Sequence, residues 1–191
     1  FNGEIYNYKE LDPNASSDSF SIISAYEKFG PKFVKKLDGE YAIVLVDTNK
    51  QIILFTSDIF RTKPLFYSIE EDNIGISTFK TPLSKLNFKN INAVKPNTCY
   101  VVDLLKLDLD QFTIKEFNLK QYKNTYNDWF KAFDKAIEKR AKQSGKNKIF
   151  IGLSSGYDSG AIACALNKLE VDSKSYSIYA SENKEVINER V

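Results

Sequence analysis

The segment Leu153–Ser159 has the composition of a loop that binds phosphate, with three serines, one glycine and one aspartate. It lies between an apolar run typical of a buried strand and a pattern typical of a helix. Small residues let the backbone approach a ligand closely, and N–H groups at the start of a helix attract anions. The hydroxyls of Ser154 and Ser159 would add donors, and Asp158 is a candidate Mg²⁺ ligand. The sequence therefore predicts a phosphate site, while leaving open a helix start whose Ser and Asp side chains only cap backbone amides.

Other kinds of site are excluded by what the sequence lacks. The 191 residues include no histidine, so this chain alone contains no Ser–His dyad, Cys–His dyad or histidine metal site. The segment Leu153–Ser159 contains neither the Gly-Lys-Ser/Thr of a Walker loop nor the Gly-x-Gly-x-x-Gly of dinucleotide-binding proteins. Cys99 and Cys164 are expected to be small buried apolar residues rather than nucleophiles.

Strand patterns dominate the first 118 residues. Tyr41–Val46 and Ile52–Phe55 are apolar and rich in β-branched residues, which predicts a buried hairpin in a sheet covered on both faces. A helix ended by Gly30-Pro31 and a short second helix at 33–37 are also predicted. Further strands are expected at Leu65–Ile69, Asn73–Ser77, Thr98–Val102 and Gln111–Phe117. This part of the chain is therefore predicted to be α+β.

Residues 119–191 follow a different pattern. From Tyr126 onward, apolar residues recur with the period of an amphipathic helix, which Ser144-Gly145 is expected to end. A strand, a helix and a second strand are then predicted at Lys148–Leu153, Ser159–Leu169 and Ser175–Tyr179. Together they form the β–α–β unit of a parallel sheet. A domain boundary is therefore expected after residue 118, with 119–125 as the linker.

The serine-rich loop resembles the Ser-Gly-Gly-x-Asp-Ser pyrophosphate loop of the ATP pyrophosphatase superfamily. Ser155 stands where the first Gly of the pair is expected, and it would be strained if this position required a positive φ. The resemblance implies that the loop binds the pyrophosphate of ATP, that Asp158 helps to hold Mg²⁺, and that an apolar residue of the next strand packs on adenine. The implied ATP-binding residues are Leu153, Ser154, Ser155, Gly156, Asp158, Ser159 and Ile178.

The first residues, Phe1 to Asn7, resemble the Asn-Gly-Glu-Ile-Tyr-Asn segment of the glutaminase domain of asparagine synthetases. Asn2-Gly3 by itself is more typical of a turn, and Asp18 by itself is more typical of an N-cap for a helix that begins at the next residue. The resemblance implies instead that the Asn2 side chain and the Gly3 N–H stabilise an oxyanion. It also implies that Glu4 and Asp18 bind glutamine, Asp18 through the α-amino group.

Two further segments, 37–42 and 58–67, resemble the same family in the same order, and Lys80 matches a lysine of the family. Together the resemblances imply a fragment of a glutamine-hydrolysing asparagine synthetase. The implied fold is an α+β glutaminase-like sandwich of antiparallel sheets with helices in residues 1–118. The start of an α/β parallel-sheet nucleotide-binding domain follows in residues 119–191.

The implied reaction uses glutamine, aspartate and ATP with Mg²⁺, and yields asparagine, glutamate, AMP and pyrophosphate. In this family the nucleophile is an N-terminal cysteine whose own α-amine serves as the base. That cysteine would lie before Phe1, and further Mg²⁺-binding acids would lie after Val191. The fragment alone is therefore expected to be inactive.

Two alternative functions stay open. A related amide-forming synthetase, similar to the β-lactam synthetases, would have an inert glutaminase half and would use an internal amine. A non-catalytic module would bind nucleotide or glutamine without turnover. Departures from the family patterns at Ser57, Arg61 and Ser155 leave these alternatives open, whereas the match over the first residues favours a working glutamine pocket.

Composition limits the partners and the location. With 27 Lys and Arg against 25 Asp and Glu, the net charge of +2 is too balanced to indicate nucleic acid or an anionic membrane surface. No run reaches the roughly 18 consecutive apolar residues of a membrane helix. Two cysteines are too few for a disulfide scaffold, so a reducing, cytoplasmic location is expected. The oligomeric state is open, a homodimer included.

Overall fold

The structure, a computed structural model, describes residues 1–143, 148–179 and 182–190. The chain divides into two compact units, Phe1–Leu119 and Lys120–Val191. This division lies one residue from the domain boundary that the change in sequence pattern indicates.

The first unit is built on two antiparallel sheets. The strands are β1 (Asn2–Ile5), β2 (Gly39–Asp47), β3 (Ile52–Ser57), β4 (Phe66–Glu70), β5 (Asn73–Ser77), β6 (Asn92–Ala93), β7 (Thr98–Asp103) and β8 (Leu109–Thr113). The larger sheet has five strands in the order β1-β2-β3-β7-β8, and the smaller has three in the order β5-β4-β6. The predicted hairpin is confirmed as β2 and β3, which pair from Ala42 opposite Ser57 to Asp47 opposite Ile52.

Helices α1 (Tyr8–Leu11), α2 (Asp18–Phe29) and α3 (Lys80–Lys85) complete this unit, with a 3₁₀ helix at Gly30–Lys36. Helix α2 ends where the sequence indicates, because Gly30 adopts a φ of +60° that costs a glycine little and Pro31 cannot continue an α-helix. The short second helix is of the 3₁₀ type rather than α.

The core of the first unit lies on both faces of the five-stranded sheet. On one face, α2 and the 3₁₀ helix contribute Ile22, Ala25 and Phe33, which pack with buried residues of β1, β2 and β3. On the other face, the three-stranded sheet covers Phe55 and Tyr100, whose rings stack with centroids 4.9 Å apart. Each fully buried large side chain stabilises the fold by about 1.5–3 kcal/mol relative to exposure.

The expectation that the hairpin is covered on both faces along its length is wrong for the end of β2. Val44 and Val46 are 39% and 53% exposed. Both lie on the face shared with Phe55, which is 0% exposed. The smaller sheet covers β3 and β7 on that face but not the far end of β2. The apolar run of β2 therefore extends beyond the part of the strand that is buried.

The second unit has the predicted β–α–β order. Its elements are α4 (Asn127–Gln143), β9 (Ile149–Gly152), α5 (Tyr157–Lys168), β10 (Ser173–Tyr176) and α6 (Lys184–Arg190). Strands β9 and β10 are parallel, with Ser173 opposite Ile149. Ile137 of α4 packs with Ala165 and Leu166 of α5, which confirms the amphipathic character of α4. The helix end predicted at Ser144-Gly145 lies outside the described residues.

Two predicted strands are shifted. Strand β10 ends at Tyr176 instead of Tyr179, because its partner β9 offers only four residues, Ile149–Gly152. Strand β8 spans Leu109–Thr113 instead of 111–117, because its pairing with β7 runs from Val102 to Thr98. In both cases the neighbouring strand sets the length.

None of the described helices combines the length and the apolar character needed to cross a membrane.

Candidate functional site

Strand β1 carries three of the residues predicted to act in a glutaminase, and it lies at the edge of the five-stranded sheet. Gly3 pairs with Tyr41 of β2 and has a φ of +139°. A Cβ atom added to Gly3 would lie 2.0 Å from the carbonyl oxygen of Glu40. Only glycine therefore allows β1 to approach β2 this closely at that point.

The direction of the Gly3 N–H follows from the alternation of an antiparallel ladder. The N–H of Tyr6 donates to the carbonyl of Asp38 over 2.7 Å, so even-numbered residues of this segment face β2. Odd-numbered residues face the outer edge, and the N–H of Ile5 accordingly donates to Oδ2 of Asp18 over 3.1 Å. The Gly3 N–H points to this same edge. The predicted oxyanion donor and the predicted glutamine-binding acid therefore share one edge of β1.

Asp18 is the first residue of α2 and is half-buried. Its Oδ1 accepts a hydrogen bond from the Ser19 N–H over 2.8 Å, while its Oδ2 accepts the bond from Ile5. Ser17, not Asp18, is the N-cap residue of α2, and Asp18 accepts the Ser19 N–H as the first residue within the helix. Through its second oxygen, Asp18 also links α2 to β1. Further lone pairs of this carboxylate are available in principle for an ammonium group.

The side chains of Asn2 and Glu4 lie on the face of β1 opposite Ile5, because side chains alternate along a strand. Ile5 is fully buried, whereas Asn2 and Glu4 are exposed. The structure thus brings all four predicted glutaminase residues of this chain to one strand, its outer edge and the adjoining helix start.

The serine-rich loop joins β9 to α5, and Gly156 is the N-cap of that helix. The predicted phosphate-binding hydroxyls bond to each other, since the Oγ atoms of Ser154 and Ser159 are 2.8 Å apart. The N–H of Ser154 donates to Oγ of Ser159 over 3.0 Å, and the N–H of Gly156 donates to Oγ of Ser154 over 3.1 Å. These bonds hold the turn and explain why serines occupy these positions.

Two residues that sequence reasoning missed, Glu182 and Arg190, contact this loop. Oε2 of Glu182 accepts hydrogen bonds from the N–H of Ser155 over 2.6 Å and from its hydroxyl over 2.5 Å. Nη1 of Arg190 donates to the carbonyl oxygens of Ser154 and Gly156 over 2.7 and 2.8 Å. The donors of Ser155, with a further contribution from Arg190, hold the pKa of Glu182 below its ordinary value. The Glu182 carboxylate oxygen occupies the position that an oxygen of a bound anion would take, so the donors of the loop are arranged to bind an anion.

No local pattern could have revealed Glu182, because it lies 27 residues from Ser155 and meets it only through the fold. Ser155 is not among the described residues with positive φ, so the glycine it replaces is not required for that reason. Arg61, which stands where the pattern resembled by residues 58–67 has a glycine, does have a positive φ of 56°.

The remaining predicted residues of the loop differ in their surroundings. Leu153 is buried at the end of β9, whereas Asp158 is exposed in the first turn of α5. Ile178 was expected on a strand, but it lies beyond the end of β10 and is 72% exposed. Within the described ranges, no group of three or more Asp, Glu, Cys or His could hold a metal ion. Asp158 fits a magnesium ion only as one of few protein ligands, which is common where phosphates supply the rest.

The chain matches known proteins most clearly in its first unit. Residues 1–116 match the family model described as the glutamine amidotransferase domain. A protein of Methanocaldococcus jannaschii described as glutamine-hydrolysing asparagine synthetase 1 is 31% identical over 192 residues, covering 85% of this chain and 34% of that protein. The mouse glutamine-hydrolysing asparagine synthetase is 28% identical over 204 residues, covering 88% and 36%.

Solved structures agree on the fold. The Bacillus subtilis glutamine phosphoribosylpyrophosphate amidotransferase complexed with ADP and GMP has a TM-score of 0.51 at 13% identity, covering 91% of this chain and 44% of that chain. This likeness supports a fold of antiparallel sheets with helices. The chain spans about a third of the length of these two curated relatives. Its first unit, with Asn2, Gly3 and Glu4 on β1 and Asp18 at the outer edge of that strand, belongs to the glutamine amidotransferase domain family.

Proposed function

We propose that this chain is part of a glutamine-dependent, ATP-driven ligase that converts aspartate to asparagine. The first unit contributes to glutamine hydrolysis, and the second contributes to activation of the aspartate side-chain carboxylate. The observation that carries the proposal is the shared edge of β1, where the Gly3 N–H and the carboxylate of Asp18 lie on the same side of one strand.

In the first half-reaction, a cysteine thiolate supplied by a segment outside this chain attacks the side-chain amide carbon of glutamine. The carbonyl oxygen becomes an oxyanion, which the Gly3 N–H and the Asn2 amide stabilise. Asp18 and Glu4 hold the substrate so that this oxygen meets those donors. Release of ammonia and then hydrolysis of the thioester give glutamate and the free thiolate.

In the second half-reaction, the aspartate carboxylate attacks the α-phosphorus of ATP, with pyrophosphate as the leaving group. Ammonia then replaces AMP at the acyl carbon to give asparagine. The loop N–H of Ser155 and the hydroxyls of Ser154 and Ser159 would bind pyrophosphate oxygens, with Glu182 displaced. When bound, Mg²⁺ neutralises phosphate charge, and Asp158 would be its ligand from this chain.

The test is an assay of the full-length protein. With glutamine, aspartate, ATP and Mg²⁺, we expect glutamate, asparagine, AMP and pyrophosphate in equal amounts. Asparagine made from ammonia but never from glutamine would point instead to a synthetase with an inert glutaminase half. Binding of glutamine or ATP without any product would point to a non-catalytic module.

Asp18→Asn is the most informative variant for the glutamine pocket. Loss of the charge facing the substrate ammonium should raise KM for glutamine about tenfold, with a smaller change in kcat. Asp12→Asn is the matched control, since the Asp12 carboxylate, like that of Asp18, accepts two hydrogen bonds, in this case from the Ser24 hydroxyl and the Asn14 N–H. An equal effect of both variants on KM would contradict the proposed role of Asp18.

A further inference from the structure

Asp58 is a buried carboxylate to which the sequence patterns assign no role. It follows the last residue of β3 and is 2% exposed. Its Oδ2 accepts the N–H of Tyr41 over 3.1 Å and the N–H of Thr62 over 3.0 Å, and also the hydroxyl of Thr62. Its Oδ1 accepts the N–H of Phe60 over 2.9 Å. A carboxylate this buried is stable only because these donors replace its water.

The carboxylate extends the ladder between β2 and β3 by one residue. The N–H of Asp58 donates to the carbonyl of Tyr41 over 2.9 Å, as a continued ladder requires. The reciprocal bond from the Tyr41 N–H goes to the Asp58 side chain rather than to its carbonyl. The carbonyl of Asp58 instead accepts the N–H groups of Arg61 and Asn97, over 3.0 and 3.3 Å. The chain can therefore turn away after β3 without releasing β2.

Tyr41 is also the residue of β2 that pairs with Gly3. Both backbone polar groups of Tyr41 are directed at Asp58, so the neighbouring Gly3 N–H faces away from β2, towards the outer edge. The contact between Gly3 and the Glu40–Tyr41 backbone leaves no space for a Cβ atom, so a displacement of Tyr41 would move Gly3. Asp58 and Gly3 thus act on opposite sides of the same residue.

We propose that Asp58 is a positioning residue for the oxyanion-binding donors of β1, acting through Tyr41. This proposal rests on the proposed glutaminase function for its catalytic part, and on the hydrogen bonds alone for its structural part. Asp58 itself does not reach the outer edge of β1, where the substrate would bind, because β2 lies between β1 and the end of β3. Its loss should disturb the transition state, where the oxyanion forms, more than the binding of glutamine.

Asp58→Asn in the full-length protein tests the structural part by amide hydrogen exchange. The amide group of Asn keeps the shape but places its NH₂ against an N–H donor, so β2 should loosen near Tyr41. Exchange in a peptide covering β1 should be at least about fivefold faster than in wild type. Asp47→Asn is the matched control, because Asp47 lies at the other end of β2 and accepts the Tyr26 hydroxyl and the Lys50 N–H. Equal exchange of β1 in the two variants would overturn the proposal.

Kinetics test the catalytic part. In Asp58→Asn we expect kcat for glutamine hydrolysis to fall about tenfold or more, with KM changed less than about twofold. Combined with Asn2→Ala, the loss should be smaller than the product of the two single losses, because both changes act on the same donors. Multiplicative losses would leave Asp58 a structural residue and overturn the proposal.

Thr62→Val gives a second, milder variant in case Asp58→Asn fails to fold. It removes one donor to the Asp58 carboxylate and leaves the Tyr41 bond in place, so about a twofold loss in kcat with unchanged KM is expected. Wild-type protein without glutaminase activity would count against the proposed function only, since the exchange comparison needs no turnover.

Discussion

The two candidate sites of this chain are held by different means. In the first unit, the register of a five-stranded sheet with buried side chains on both faces fixes the edge of β1. In the second unit, the loop after β9 is held mainly by polar contacts, from its own serines and from Glu182 and Arg190. The first arrangement orients donors at fixed positions, and the second can exchange one anionic partner for another.

This difference matches the demands of the two proposed chemistries. An oxyanion donor must lie at one place relative to the reacting carbon, and backbone pairing in a packed sheet provides that accuracy. A pyrophosphate group presents several equivalent oxygens, so hydroxyls and N–H groups that reorganise on binding are sufficient. Substitutions at the paired edge of β1 should therefore have large effects, and those in the loop after β9 small ones.

The cysteines offer the largest expected contrast between the units. Burial raises the pKa of Cys99 in β7 to about 12 from an ordinary value of 9.0. Cys164 in α5 is exposed, so the expectation of a buried residue is confirmed for Cys99 and wrong for Cys164. At a given pH this shift leaves the Cys99 site with about a thousandfold less thiolate than an ordinary cysteine. Brief treatment with iodoacetamide at pH 8, read by mass spectrometry, should label Cys164 only. A denatured sample is the control, and both cysteines should be labelled in it. Equal labelling of Cys99 and Cys164 in the native protein would contradict the packing of the first unit.

Gly3→Ala tests whether the close pairing of β1 with β2 fixes the position of the outer edge. The added Cβ would meet the Glu40 carbonyl oxygen at 2.0 Å, so β1 must separate from β2. We expect a loss of about 2–4 kcal/mol in the free energy of unfolding, and at least about a hundredfold loss of glutamine hydrolysis in the full-length protein.

Gly152→Ala, at the end of β9, is its counterpart in the second unit. There an added Cβ would lie 3.4 Å from the Tyr176 hydroxyl, an ordinary contact. This variant should change the free energy of unfolding by less than about 0.5 kcal/mol. Similar losses in the two variants would remove the contrast between the sites.

Glu182→Gln tests the exchangeable partner in the loop. Without the competing carboxylate, inorganic pyrophosphate should bind about threefold more tightly in calorimetric titration. Glu185→Gln, an identical charge change at an exposed position of α6, is the control and should have less effect. Weaker pyrophosphate binding in Glu182→Gln would mean that Glu182 supports the loop instead of competing for it.

Asp47→Asn should have the smallest effect, and one that depends on pH. The hydrogen bond from the Tyr26 hydroxyl, followed by that from the Lys50 N–H, lowers the pKa of Asp47 from 3.8 to about 2. A lowered pKa in the folded state stabilises the protein above the ordinary pKa, and this gain is lost as pH falls towards about 2.

The melting temperature of Asp47→Asn should therefore lie slightly below that of wild type at pH 7, and the two should converge near pH 2. Asp108→Asn, at an exposed position, serves as the control and should show no such convergence. A constant difference over this pH range would contradict the role assigned to the Tyr26 bond.

Most of the elements could be predicted because their patterns are local. The strand predicted at Asn73–Ser77 is β5 with identical bounds, and the helix predicted from Tyr126 is α4. The short strand β1 was not predicted, because Asn2-Gly3 is typical of a turn and only the pairing with β2 makes it extended. The end of β10 was misplaced for the same reason, since β9 determines it.

By itself, the sequence determined the order of the two units, the serine-rich loop between a strand and a helix, and the residues that resemble known motifs. Only the tertiary structure decided which of these residues meet. Asp18 reaches the Ile5 N–H across 13 positions, Asp58 reaches Tyr41 across 17, and Glu182 reaches Ser155 across 27. Each is a bond between a side chain and a backbone amide, and its formation depends on strand register and packing, which local patterns do not contain.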